Sequence, residues 1–196
     1  MKIICLNQGK FQENTYICCQ EKEALIIDPG NPLSLILEHL KDCPRINIYL
    51  THGHSDHTMA VDDLCDIYPD SKIFMHHGDE DLISPHSHLA FGLAIYHPIE
   101  YVQEGPLQIG SFMTKVYYTP GHSKGSSCLQ IKDCLFTGDT LFKGTVGRSD
   151  LYGGNEQELF MSLHKLKKLD HSLKIYPGHD QCSTLANEIA TNYFLR

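Results

Sequence analysis

Four separated segments of the chain end in a turn that presents histidine or aspartate. An apolar run at 46–50 passes directly into Thr51-His52-Gly53-His54-Ser55-Asp56-His57, and three later runs end in Gly121-His122, Gly138-Asp139 and Gly178-His179. Short β-branched or aromatic runs bounded by turn residues form strands. Loops at strand ends let residues more than 100 positions apart meet at one edge of a sheet, where a rigid scaffold carries function. Any fold for this chain has to bring those four strand ends together.

The remaining pattern supports an α/β fold in one domain spanning residues 1–196. Strands are predicted at 2–6, 15–19, 24–27, 46–50, 72–75, 112–118, 127–131, 134–137 and 174–176. Helices are predicted over 32–41, along the stretch that stops before Pro69, from Asn155 with a capping-box-like Glu158, and over 184–194. Alternation of strand and helix indicates sheet-borne loops. Residues 84–106 hold Pro85, Pro98 and Pro106 and show no clear period, so they read as a lid or an irregular connection. Leu89, Phe91, Leu93, Ile95 and Tyr96 would supply the lid's apolar side.

With 16 Lys+Arg against 24 Asp+Glu, the formal charge is −8, which disfavours a nucleic-acid partner because phosphate binding needs a basic surface. No apolar run reaches the roughly 20 residues of a membrane-spanning helix, and the N-terminus lacks the pattern of a secretory signal. The eight cysteines include no C-x-x-C pair and mostly sit in apolar runs. Reduced thiols and a cytoplasmic location are therefore expected.

Histidine is abundant, 13 of 196 residues, and its clustering with aspartate points to metal. A hydrolytic zinc takes about three protein ligands and keeps one position for water. Seven candidate side chains with one bridging carboxylate suit two such ions. His52, His54 and His122 would take one, Asp56, His57 and His179 the other, with Asp139 between them. The preceding glycines at 53, 121, 138 and 178 are expected to permit turns that other residues adopt under strain. His76, His77, His86, His88 and His97 read instead as solvated or capping histidines.

Together with Thr119-Pro120-Gly121-His122, Gly138-Asp139-Thr140-Leu141-Phe142, Tyr176-Pro177-Gly178-His179 and the early Asp28-Pro29-Gly30, the H-x-H-x-D-H segment resembles the metallo-β-lactamase superfamily, and most of all its glyoxalase II-type hydrolases. The resemblance implies a single-domain αββα sandwich with a dinuclear site at its edge and carries the ligand assignment over at every position. It implies two divalent cations, most readily Zn2+ with Fe or Mn as alternatives, and a metal-bound hydroxide held by Asp56 and Asp139 as the catalytic group. Asp28 becomes a carboxylate steadying the ligand loops, or else an ordinary Asp-Pro-Gly turn.

The stretch from Tyr176 onward is similar to short, single-domain glyoxalase II-like hydrolases, and the helical region that helps two-domain enzymes hold glutathione is not seen. The expected substrate is a small-molecule thioester of the hydroxyacylglutathione type. Arg148 is the expected anchor for a carboxylate of the thiol portion, although Asp150 and Gln181 stand where tyrosine partners are expected, and Arg148 could equally be a structural residue paired with Asp150. Gly147-Arg148-Ser149-Asp150 also resembles persulfide dioxygenases, in which a mononuclear iron would use His52, His122 and Asp139. Lactam hydrolysis is disfavoured by the expected location, and a purely structural metal site by the scarcity of cysteine among the ligands.

Overall fold

A computed structural model describes all 196 residues. The first sheet runs β1 (Lys2–Leu6), β2 (Thr15–Gln20), β3 (Glu23–Ile27), β4 (Arg45–Tyr49), β5 (Ile73–His76) and β6 (Ile99–Val102), in that spatial order. β1 to β3 form an antiparallel meander, after which β3, β4, β5 and β6 lie parallel. The second sheet contains β7 (Gly105–Ile109), β8 (Phe112–Tyr118), β9 (Ser127–Ile131) and β10 (Cys134–Gly138). A small hairpin of β11 (Leu141–Phe142) and β12 (Thr145–Val146) follows, and then β13 (Lys174–Pro177) and β14 (Ser183–Thr184) complete that sheet. β10 and β13 pair in parallel, so their C-terminal ends share an edge.

Three apolar clusters make this an αββα sandwich, as the resemblance implies. Strand residues of both sheets alternate inward: Tyr16, Leu25, Ile27, Tyr49 and Phe74 from one meet Phe112, Val116, Leu129 and Phe136 from the other. The opposite face of the first sheet is covered by α1 (Leu33–Glu38), then, after the one-turn helix α2 (Ser55–Thr58), by α3 (Val61–Ile67) and α4 (Glu80–Ile83). The outer face of the second packs on α5 (Glu156–Leu166) and α6 (Leu185–Thr191) through Leu159, Leu163, Leu166 and Leu185. Each such side chain contributes about 1.5–3 kcal/mol by burial.

Several boundaries differ from expectation for identifiable reasons. The helix expected over 32–41 stops at Glu38, and the chain reaches buried Leu40 through a turn. The segment after His54 breaks into α2 and α3 at Met59–Ala60. The helix expected over 184–194 divides at Asn192, whose side-chain amide instead donates to the carbonyls of Phe142 and Thr145. Residues 84–106 are partly sheet, because β6 and the start of β7 lie there. Pro106 is accommodated because β7 is an edge strand. Leu82, Ile83 and Ile95 are buried in the scaffold, whereas Phe91, Leu93 and Tyr96 are exposed. All eight cysteines are free thiols, and no helix is long and apolar enough to cross a membrane.

Candidate metal centre

The C-terminal ends of five strands build the site. β4 leads to His52, His54, Asp56 and His57; β8 to His122; β10 to Asp139; β13 to His179; and β3 to Asp28. His54 sits at the N-cap of the one-turn helix α2, whose Ser55 N–H is satisfied by the Phe91 carbonyl at 2.7 Å. That turn projects Asp56 and His57 beside the two preceding histidines.

Donor atoms of His52, His54 and His122 lie within 4.8 Å of one another, and so do those of Asp56, His57 and His179. Asp139 stands between the groups, with Oδ1 3.4 Å from His57 Nε2 and Oδ2 3.6 Å from both His122 Nε2 and His179 Nε2. His52, His54, His57 and His122 are buried, while Asp56 and His179 keep 20% and 24% of their side-chain surface. The second group therefore opens towards solvent.

Hydrogen bonds fix how the imidazoles face. His122 Nδ1–H donates to the Arg148 carbonyl at 2.7 Å, turning Nε2 inward. Asp28 accepts from the Thr51 N–H at 2.8 Å through Oδ1, and through Oδ2 from the Thr51 hydroxyl at 2.7 Å and His57 Nδ1 at 3.1 Å. His52 Nδ1 meets the Thr51 hydroxyl at 3.0 Å. The resulting relay turns Nε2 of His52 and of His57 inward, the orientation that metal-binding imidazoles require. Asp28, His52 and His57 also bring donor atoms within 4.8 Å, but these hydrogen bonds account for that proximity. Asp28 adopts a φ of 51°, so its backbone is held in a left-handed conformation to aim the carboxylate.

The donor set fits a metal. His52 Nε2 and Asp139 Oδ1 are buried without hydrogen-bond partners, as is His54 Nε2. His122 Nε2 and His54 Nδ1 approach to 2.9 Å, a contact that needs a proton or a cation between two lone pairs. Burial, together with the neighbouring His57, His54 and His122, depresses the His52 pKa well below its usual value. Burial and the nearby His122 and His57 lower His54 to about 4. Both therefore present neutral nitrogens. Around His57, burial favours the neutral ring, yet the Asp139, Asp28 and Asp56 carboxylates outweigh it and hold the pKa up to about 10. Burial likewise opposes ionisation of Asp56, but His179 and His57 keep it well below the carboxylate range. Such a cage of carboxylates is made for positive charge.

Gly121 (φ 134°) and Gly138 (φ 46°) serve the turns expected of them, but Gly53 and Gly178 do not take a positive φ. Gly178 is needed for a close approach: a Cβ there would lie 2.2 Å from Asp139 Oδ1 and 2.8 Å from His57 Cε1.

Arg148 is displayed on the surface, its guanidinium paired with Asp150 at 2.6 and 2.7 Å. Only its carbonyl touches the centre. Of the histidines expected to be solvated or capping, His76 is a capping one: it is buried, stacks on Tyr118 at 4.0 Å and accepts from the Gly78 N–H. Beside it lies buried Asp79, which is absent from the residues that the sequence pattern singles out. Gly78-Asp79 repeats the Gly-Asp pairing of 138–139 at another strand end, and that is the signal for it.

The sequence profile of the metallo-beta-lactamase superfamily matches residues 8–179. The chain belongs to that superfamily. It is 32% identical to a probable metallo-hydrolase, YqgX, of Bacillus subtilis (strain 168), over 95% of this chain and 94% of the relative. A hydroxyacylglutathione hydrolase of Francisella philomiragia is 31% identical over 91% of this chain and 70% of its own. Among solved structures, BLEG-1, described as a B3 metallo-beta-lactamase, superposes with a TM-score of 0.89 at 32% identity, covering 99% of both chains. TTHA1623 in a di-iron-bound form gives 0.82 at 34% identity, covering 98% of this chain and 100% of the other. The chain is thus a metallo-hydrolase superfamily member with His/Asp groups able to bind metal.

Proposed function

We propose that the chain is a dinuclear metal-dependent hydrolase acting on thioesters of the hydroxyacylglutathione type. The observation that carries this reading is the pairing of two complete three-donor groups across Asp139. Similarity to a hydroxyacylglutathione hydrolase over most of the chain supports the substrate class. His52, His54 and His122 would hold one ion and Asp56, His57 and His179 the other, with Asp139 shared. Zinc suits this nitrogen-rich set, and iron or manganese suits the same donors.

Divalent cations held by these residues would supply a nucleophilic hydroxide at neutral pH and polarisation of the substrate carbonyl. The protein's part is positional. The Asp28–Thr51 relay and the Arg148 carbonyl lock the imidazoles, and the partly exposed Asp56 and His179 mark the side from which a thioester enters. A thiol with an unperturbed pKa of about 8.5 leaves as thiolate, so no side chain has to protonate it. Arg148 is proposed to contact a remote carboxylate of the substrate. Because Asp150 already engages its guanidinium, that contact requires displacing Asp150.

Two other chemistries have a specific observation behind them. His122, which shares a donor group with His52, has its Nε2 3.6 Å from Asp139 Oδ2, and these three would supply the two-histidine, one-carboxylate set suited to an iron persulfide dioxygenase. Similarity to BLEG-1 makes lactam hydrolysis the other. One assay set separates the three. With S-lactoylglutathione, the purified, metal-loaded protein is expected to release thiol without consuming oxygen. Oxygen uptake with glutathione persulfide and no thiol release from any thioester selects the dioxygenase; turnover of a chromogenic cephalosporin alone selects the lactamase.

A further inference from the structure

Asp79 closes the 3-10 turn His77–Asp79 that follows β5, 2% exposed, on an element that contributes no metal donor. Its Oδ2 accepts from the Gly53 N–H at 2.9 Å and the Ser123 hydroxyl at 2.6 Å, and its Oδ1 accepts from the Gly125 N–H at 2.6 Å. Gly53 separates His52 from His54, and Ser123 follows His122. One carboxylate is therefore a single residue away from every member of the first donor group and ties together the two loops that carry it. Asp56, His57 and His179 are not among its hydrogen-bond partners; of these, His57 is tied instead to Asp28.

The approach is close enough to have selected small residues. A Cβ on Gly125 would lie 2.6 Å from the Asp79 backbone nitrogen and 2.7 Å from its Cγ, and one on Gly53 would lie 3.0 Å from the Asp79 Cβ. Ser123 is itself fixed, because its hydroxyl lies 2.7 Å from that of Ser126. Three donors thus converge on two oxygens, an arrangement that an ionised carboxylate satisfies in full and an amide cannot. Burial raises the Asp79 pKa, and the Ser123, Gly125 and Gly53 hydrogen bonds act against it.

We propose that Asp79 is the positioning residue for the His52/His54/His122 group: it sets the spacing of the two loops and so the affinity of that group alone. The proposal rests on reading that group as a metal site, and it is independent of which substrate the enzyme takes. In Asp79→Asn the volume is kept, but an NH2 faces one of the three donors and pushes its loop away.

The test measures zinc affinity by chelator competition and uses no substrate. Asp79→Asn is introduced into the full chain and into two backgrounds, His179→Ala, which leaves the first donor group intact, and His122→Ala, which leaves the second. The expected result is a fall in affinity of about 10- to 100-fold in the His179→Ala background and a change within about twofold in the His122→Ala background. Melting temperatures of the metal-free proteins give the structural control. An equal fall in both backgrounds, tracking a lowered melting temperature, would assign Asp79 a merely structural role. Unchanged affinity in the His179→Ala background would equally overturn the proposal. If a single background binds too weakly to titrate, the full chain decides: Asp79→Asn is expected to weaken one of its two zinc affinities by about 10- to 100-fold and leave the other within about twofold, and a fall in both or in neither refutes the assignment.

Discussion

Replacing Gly178 by alanine places a methyl group where the bridging carboxylate and a histidine already meet. The new carbon would lie 2.2 Å from Asp139 Oδ1, 2.8 Å from His57 Cε1 and 3.0 Å from the Gly138 carbonyl carbon. The backbone cannot swing away freely, since the Gly178 N–H donates to Gly138 O at 2.8 Å and its carbonyl accepts from the Asn14 N–H at 2.7 Å. Asp139 must therefore retreat by roughly 1 Å to reach ordinary contact, whereas ligand distances tolerate about 0.2 Å. Because Asp139 faces both donor groups, Gly178→Ala should weaken both ions by at least the roughly 10- to 100-fold typical of a disturbed support residue. Overpacking costs about 1–3 kcal/mol, equivalent to a fall of roughly 2–12 °C in the melting temperature of a domain this size. The metal-free protein should show the smaller part of that range, because there the carboxylate is free to rotate. Chelator competition and calorimetric melting with and without zinc measure both effects. A variant that binds two ions with wild-type affinity would refute the close-approach argument.

Protein prepared without chelator should carry up to two metal ions per chain, and Asp139→Ala should lower occupancy of both groups, as read by elemental analysis; stoichiometric single iron in active protein, with no gain on adding zinc, would count against the dinuclear hydrolase. Zinc uptake at pH 7.5 should release protons, because His57 is held protonated up to about 10 and only its neutral form binds. Affinity should accordingly fall as pH drops, and titration calorimetry in buffers of different ionisation enthalpy reads the proton count, a count of zero contradicting the assignment of His57. Arg148→Ala should raise KM for a carboxylate-bearing thioester by at most about tenfold with kcat little changed, and leave a neutral thioester and the metal content unaffected; equal losses on both substrates would make Arg148 a structural partner of Asp150.

What the sequence discloses and what it hides divide along a physical line. The donor groups are legible because His52, His54, His122, Asp139 and His179 each sit just past an apolar strand next to glycine, and Asp56 and His57 follow in the same compact motif; strand ends converge whatever the details between them. β6 and β7 escape notice because both are edge strands, partly exposed and flanked or interrupted by proline, so their alternation is weak. The β11–β12 hairpin has only two paired residues on each side, too few to show a period. Asp28 is visible as a motif, but its alternative as a plain turn is resolved only by the bonds it makes to Thr51 and His57.

The least legible contributions come from main chain. His122 is oriented by the carbonyl of Arg148, a group that every residue possesses, so the side chain that draws attention at 148 differs from the atom that touches the centre. Asp79 likewise acts on backbone N–H groups of Gly53 and Gly125, whose own side chains are absent. A pattern of residue types identifies donors because donors are side chains. It is poor at identifying what holds them, since that support runs through peptide groups whose positions are set only when the sandwich closes. The same reasoning explains why glycine marks this site so heavily: at Gly53, Gly125 and Gly178 its value lies in letting a neighbouring carboxylate reach past it.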